Sequence, residues 1–163
     1  MSNNNQTFKI ISEHFLESDW QASQLGEQPI LNLHYKGRFE GARIEEWKCQ
    51  VIAKENQHFK TVVFLSFVPL IIQKNQIKLI AELLHRINYL ENIGDFEINY
   101  DTGQIRCKTS VQVSNIDISS DLICNLEGNN TDLVGKYLPA IRQVNQGELM
   151  PFDVIDEDDF NYY

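Results

Sequence analysis

No apolar run in this chain approaches the roughly 20 residues that a membrane-spanning helix requires, and the opening residues MSNNNQTFK contain no apolar signal core. A cytoplasmic protein with no membrane partner is expected. Cys49, Cys107 and Cys124 are odd in number, widely spaced and without a CxxC, which argues against a disulfide framework or a thiolate metal cluster and for reduced thiols. Basic residues are few: 14 Lys and Arg stand against 23 Asp and Glu, a net charge of −9, and beyond Arg142 every charged residue is acidic. Such a surface repels phosphate backbones, so no nucleic-acid partner is expected. The scattered glycines make neither GxGxxG nor a P-loop, and His14, His34, His58 and His85 form no HxH or HExxH pattern. No cofactor, metal or catalytic constellation is therefore expected.

What is present is core material. Hydrophobic residues make up 42% of the 163, with nine Phe, six Tyr and two Trp, enough for one domain that buries roughly two thirds of its unfolded surface. Phe8, Ile11, Phe15 and Leu16 recur at helical offsets and predict a first helix over about 6–18, with Asn5 or Thr7 as its cap. Strand alternation follows at Ile30–Tyr35 and at Trp47, Cys49, Val51 and Ala53, where Lys48, Gln50 and Lys54 mark a polar face that Ile52 interrupts. TVVFLSFVP is apolar on both faces, which predicts a central strand over 61–68 ended by Pro69.

Ile77, Ile80, Ala81, Leu84, Ile87 and Asn88 share one face of a second helix, capped by Asn75 and closed by Gly94. The pattern places His85 near that buried side. Phe96–Tyr100 and Ile105–Val111 then form a hairpin around Asp101-Thr102-Gly103. A last helix is expected from Asn130 or Thr131 to Gly147, with a kink from Pro139 near Gly135. The expected architecture is α+β: an antiparallel sheet of about five strands with helices on its faces, in the order α-β-β-β-α-β-β-α. Residues 1–147 form the domain and 148–163 an acidic-aromatic tail.

The stretch VPLIIQKNQIKLIAELLHRINYLENIGDFEINYDTGQIRCKTSV, with Val68-Pro69 before the helix, Arg86-Ile87-Asn88 toward its end, Gly94-Asp95-Phe96 opening the strand and the turn from Asp101 to Arg106, resembles the YbjN family of bacterial sensory-transduction regulators. Tyr137, Leu138, Pro139 and Gly147 look like that family's last helix, and a cyanobacterial branch described as a domain of unknown function is most similar. The resemblance implies a fold like that of type III secretion chaperones, and with it a homodimer that binds protein. Its matching positions are helix ends, turns and core, and none is catalytic.

Two stretches are candidates for binding. GRFEGARIEEW frames Arg38, Phe39 and Arg43 between Gly37 and Gly41, either a loop offering an aromatic and two guanidiniums to an acidic ligand or an ordinary glycine-containing hairpin, which is the simpler reading. PFDVIDEDDFNYY interleaves Phe152, Asp156, Glu157, Asp158, Asp159 and Phe160, either a linear motif for a basic groove or a solvated tail. Cys49 and Cys107 fall on inward strand faces, and Asn88 is expected to satisfy a nearby helix or strand terminus. The expected function is a noncatalytic protein-binding module, a regulator or chaperone-like adaptor. The alternative is a small-molecule sensor or enzyme with a pocket between the sheet and the second helix, using Arg38, Arg43 or His34.

Overall fold

The computed structural model describes residues 5–17, 21–38, 44–114 and 116–155. Helix α1 (Gln6–Glu17) starts where Asn5 Oδ1 accepts from Phe8 N at 2.9 Å, and Glu55 Oε2 accepts from Thr7 N at 2.9 Å, tying the helix start to the sheet. Strands β1 (Ala22–Gln24), β2 (Ile30–Arg38), β3 (Ile44–Glu55) and β4 (Lys60–Ile71) follow as an antiparallel meander. Then come α2 (Ile77–Leu90), β5 (Asp95–Ile98), β6 (Gln104–Val113), α3 (Ser120–Gln146) and the single turn α4 (Pro151–Val154). The six strands form one sheet in the order β1-β2-β3-β4-β6-β5, antiparallel throughout. Among the described residues no helix is long and apolar enough to cross a membrane.

The α+β class stands, with corrections of detail. The sheet has six strands where about five were expected: SQLGEQP reads as a break, but Ala22 and the first two residues of that stretch pair with β2 through a turn at Gly26, and so short a strand shows no alternation. Pro69 does not end β4. A register shift between Phe67 and Ile71 absorbs its missing N–H, and the strand resumes at Ile71 opposite Gln104.

Asn75 does not cap α2; the N-cap is Gln76, without a side-chain cap bond, and Glu91 rather than Gly94 is its C-cap. Gly94, at φ +93°, instead turns the chain into β5 with Leu133 and Thr109 packed so close that a Cβ would lie 2.5 and 2.9 Å from them. His85 is exposed, not on the buried side.

The last helix begins ten residues earlier than Asn130 and spans 27 residues, capped by Ser119, whose hydroxyl accepts from Leu122 N, and ended by a left-handed Gly147 at φ +77°. EGNN therefore lies inside it. Low helix propensity there is overridden by tertiary bonds: buried Asn130 Nδ2 donates to Cys107 O at 3.2 Å and to Phe64 O at 3.4 Å, and Thr109 Oγ1 donates back to Leu126 O at 2.8 Å. Pro139 is exposed and the helix runs through it.

The core divides into two apolar clusters on one face of the sheet. One joins α1 and the N-terminal part of α3 to β2, β3 and β4 through Ile11, Phe15, Ile123, Leu126, Val51 and Phe64. The other joins α2 and the C-terminal part of α3 to β4, β5 and β6 through Ile80, Leu84, Leu138, Ile141, Phe96 and Ile105. Part of the segment read as tail belongs here: Pro151 and Ile155 are buried, and α4 packs on α2.

Candidate interaction surface

Successive side chains of a strand point to opposite faces. All three long helices cover the face that carries Leu33, Trp47, Cys49, Val51, Phe64 and Cys107. The sequence led to helices on both faces, because β4 is apolar on both sides. Its second apolar set instead lies on a face that no described helix covers.

Strand register arranges this open face in rows. His34, Lys48, Phe67, Arg106 and Glu97 form one; Asn32, Gln50, Leu65, Lys108 and Asp95 the next; Ile30, Ile52, Val63 and Ser110 a third; Lys54, Thr61 and Gln112 a fourth. None of these side chains belongs to either apolar cluster. Ile52, Val63 and Phe67 are part-exposed, and Leu65 is shielded by its neighbours. An apolar centre is thus fenced by amides and charges, with Gln50 Nε2 donating to Asn32 Oδ1 at 3.1 Å.

The fence has a sign. Lys36, Lys48, Lys54, Arg106 and Lys108 stand against Glu46, Asp95 and Glu97, an excess of cations on a chain whose net charge is −9. Arg106 Nε and Lys108 Nζ both bind Glu97, at 2.5 and 2.6 Å. Partial burial pulls the Glu97 carboxyl up, but the two donors outweigh it and hold the group below the usual carboxylate range. Lys36 pairs with Glu46 at 2.7 Å and lowers that carboxyl too. Lys48 and Lys54 make no ion pair among the described residues. At one end of the face, Phe67, Glu97, Asn99, Thr102, Gln104 and Arg106 line an open cleft of about 400 Å³.

Both sheet edges are blunted against an added strand. On one side β1 is only three residues long. On the other, Asn88 of α2 acts as a side-chain stand-in for a neighbouring strand: its Nδ2 donates to Phe96 O at 2.9 Å and its Oδ1 accepts from Phe96 N at 2.8 Å. The outward backbone groups of Phe96, in the middle of β5, are thereby occupied, one of the ways edges are protected. This is the strand-satisfying role expected of Asn88.

Of the nine candidates named from sequence, Arg38 ends β2 opposite Ile44, with its side chain outside the described residues. Phe39, Arg43, Asp156, Glu157, Asp158, Asp159 and Phe160 lie outside them altogether. Phe152 is on α4 and 56% exposed. The space between the sheet and α2, expected in the alternative reading to hold a pocket, is packed by Ile80, Leu84, Ile105 and their neighbours, and His34 projects from the opposite face. The sequence motifs do not single out the open-face residues, although Ile52 breaking a polar face and Val63, Leu65 and Phe67 alternating on β4 are a visible signal of them.

Other polar clusters have structural explanations. Glu91 Oε1, at the end of α2, accepts from Lys136 Nζ at 2.7 Å and from Tyr137 Oη at 2.5 Å, clamping α2 to α3. Burial raises the Glu91 carboxyl, yet its two donors leave it below its ordinary value. Burial opposes the Lys136 charge, but Glu91 raises its pKa to about 12. Burial first, and then Glu91, raises the Tyr137 hydroxyl. Each group is pushed away from neutrality, the opposite of what acid–base catalysis requires. Cys124 Sγ lies 3.7 Å from His14 Nε2, linking α3 to α1. Among the described residues no group of three or more His, Cys, Asp or Glu could hold a metal ion. Neither a protein-family model nor a curated protein matches the chain.

Proposed function

We propose that the protein is a noncatalytic protein-binding module, a regulator or chaperone-like adaptor, that docks its partner on the open face of the sheet. The observation that carries this is Ile52, Val63, Leu65 and Phe67 standing on a face outside both apolar clusters, ringed by cations. In an antiparallel sheet with one solvated face, those positions are ordinarily polar. Apolar surface rimmed by polar residues is what a partner site presents. With β5 engaged by Asn88 and β1 short, a partner meets side chains on the face rather than backbone at an edge. The noncatalytic part of the reading is supported by the Glu91–Lys136–Tyr137 clamp, whose groups sit far from neutral titration. The secretion-chaperone-like fold and the homodimer come from the resemblance to the YbjN family, and sedimentation of the purified chain tests the dimer.

The deciding experiment is affinity capture from native lysate with the full chain, run beside Val63→Asp and Phe67→Asp variants and a Tyr89→Ala control on the exposed side of α2. The expected result is a saturable protein partner kept by the control and lost by both open-face variants, with their circular dichroism unchanged. A partner retained by those variants refutes the assignment. Small molecules captured alone would favour a sensor using the Phe67–Arg106 cleft.

A further inference from the structure

We propose that the partner presents an amphipathic α-helix with carboxylates along one flank, and that this helix lies along β4 with its acidic flank over β3. This names the chemistry of the partner and rests on the open face being the binding surface. A sheet face offers a partner side chains only, and the short β1 and the Asn88 bonds to Phe96 blunt the edges where backbone could pair. A segment packed against the face must therefore satisfy its own N–H and C=O groups. A helix does so internally, whereas a lone extended segment leaves them unpaired.

The dimensions agree with a helix. Val63, Leu65 and Phe67 run along β4, with Ile52 beside Val63 on β3. On one side of this apolar line stand Lys48 and Lys54 of β3, and on the other Arg106 and Lys108 of β6. Neighbouring strands lie about 4.8 Å apart, so the two cationic borders are about 10 Å from one another, close to the diameter of a helix. From Lys48 to Lys54 is about 20 Å along β3, which about 13 helical residues span.

Charge decides which border takes the acid. Arg106 and Lys108 share Glu97, and Asp95 pairs in register with Lys108, so the β6 border is balanced. Lys48 and Lys54 are exposed and make no ion pair among the described residues, and nearby Glu46 is held by Lys36. Carboxylates over β3 gain attraction without displacing an established pair, whereas over β6 they would meet Asp95 and Glu97. A second copy packed by the same face would set one excess of cations against another, which disfavours self-association there.

The test adds synthetic peptides of about 15 residues to the full chain, with amide chemical shifts as readout. Each carries leucine at heptad positions a and d, alanine and glutamine elsewhere, and one charged flank: glutamate at e, glutamate at g, or lysine at e. The expected result is saturable, salt-weakened binding of both glutamate peptides, with shifts centred on Lys48, Lys54, Val63 and Phe67 and with helix gained in circular dichroism. The lysine peptide should bind about tenfold more weakly, since two surface attractions become repulsions. Lys48→Glu with Lys54→Glu should invert that order. Because the acid must face β3, moving glutamate from e to g should reverse the direction of the helix, so that a spin label at the peptide N-terminus broadens Phe67 in one case and Thr61 in the other.

Equal affinity for glutamate and lysine peptides, a direction that does not reverse, or undiminished binding of a peptide interrupted by proline overturns the proposal. So does an inversion produced by Lys74→Glu with Lys78→Glu instead, which would put the acid at the start of α2. If no peptide binds but Val63→Asp and Phe67→Asp still lose the captured partner, only this inference falls. If those variants keep the partner, the reading of the open face itself falls.

Discussion

Replacing Asn88 by Ala removes both bonds that hold the outer backbone of β5 to α2. Phe96 is 4% exposed, so its freed N–H and C=O would gain little solvation in return. Two net hydrogen bonds at about 0.5–1.5 kcal/mol each give a loss of about 1–3 kcal/mol. The higher helix propensity of Ala returns about 0.5 kcal/mol of that. The expected net destabilisation is about 0.5–2.5 kcal/mol, with the better estimate in the upper half because both orphaned groups are buried. Urea unfolding followed by circular dichroism should show a lower midpoint at unchanged slope. Hydrogen exchange should show the Phe96 amide losing protection far more than the β3–β4 amides. Asn88→Asp keeps the acceptor for Phe96 N–H but sets a second acceptor against Phe96 O, and should be no better than Ala. A loss under about 0.5 kcal/mol, or a Phe96 amide that stays protected, would refute the claim that this side chain closes the sheet edge.

Gly94→Ala should cost more than about 2 kcal/mol, since it adds both a strained positive φ and a Cβ 2.5 Å from Leu133 Cδ1; thermal melting of the variant checks it. Native thiol titration near pH 8 should find Cys124 fast and Cys49 and Cys107 slow until the chain unfolds. Burial pushes Cys49 up to about 12 and raises Cys107 as well. Because those thiols are raised on folding, the stability they contribute is fully present below the ordinary thiol range and is lost as pH rises from that range through the folded values, so melts should fall progressively with alkaline pH. For Glu97 the sign is opposite: its lowered carboxyl adds stability above the ordinary Glu range, lost as pH falls through the folded value. Glu97→Gln should therefore cost about 1 kcal/mol or less at neutral pH, given a side chain one-third exposed, and the gap to wild type should close in acid melts.

Elements whose burial follows one period were readable from the chain: α1, α2, β3 and the β5–β6 hairpin lie where apolar spacing puts them. The middle of α3 was not, because Gly128, Asn129 and Asn130 look like a turn unless the sheet carbonyls that Asn130 binds are already in place. For β4, a doubly apolar strand normally signals burial on both sides, and sequence does not say which layer lies outside the chain's own helices. The same ambiguity hid the candidate surface. Arg38, Phe39 and Arg43 attracted notice through their glycines, whereas Lys48, Phe67 and Arg106 come from three separate strands and become neighbours only through pairing register.

At about 1.5 Å per residue, α3 is a rod roughly 40 Å long, and it supplies Ile123 and Leu126 to one apolar cluster and Leu138 and Ile141 to the other. Neither half of the molecule can therefore melt while the other keeps its full packing. Hydrogen exchange across the two clusters should report one shared opening free energy, and a chain cut between them should yield two pieces that each lack part of a common beam.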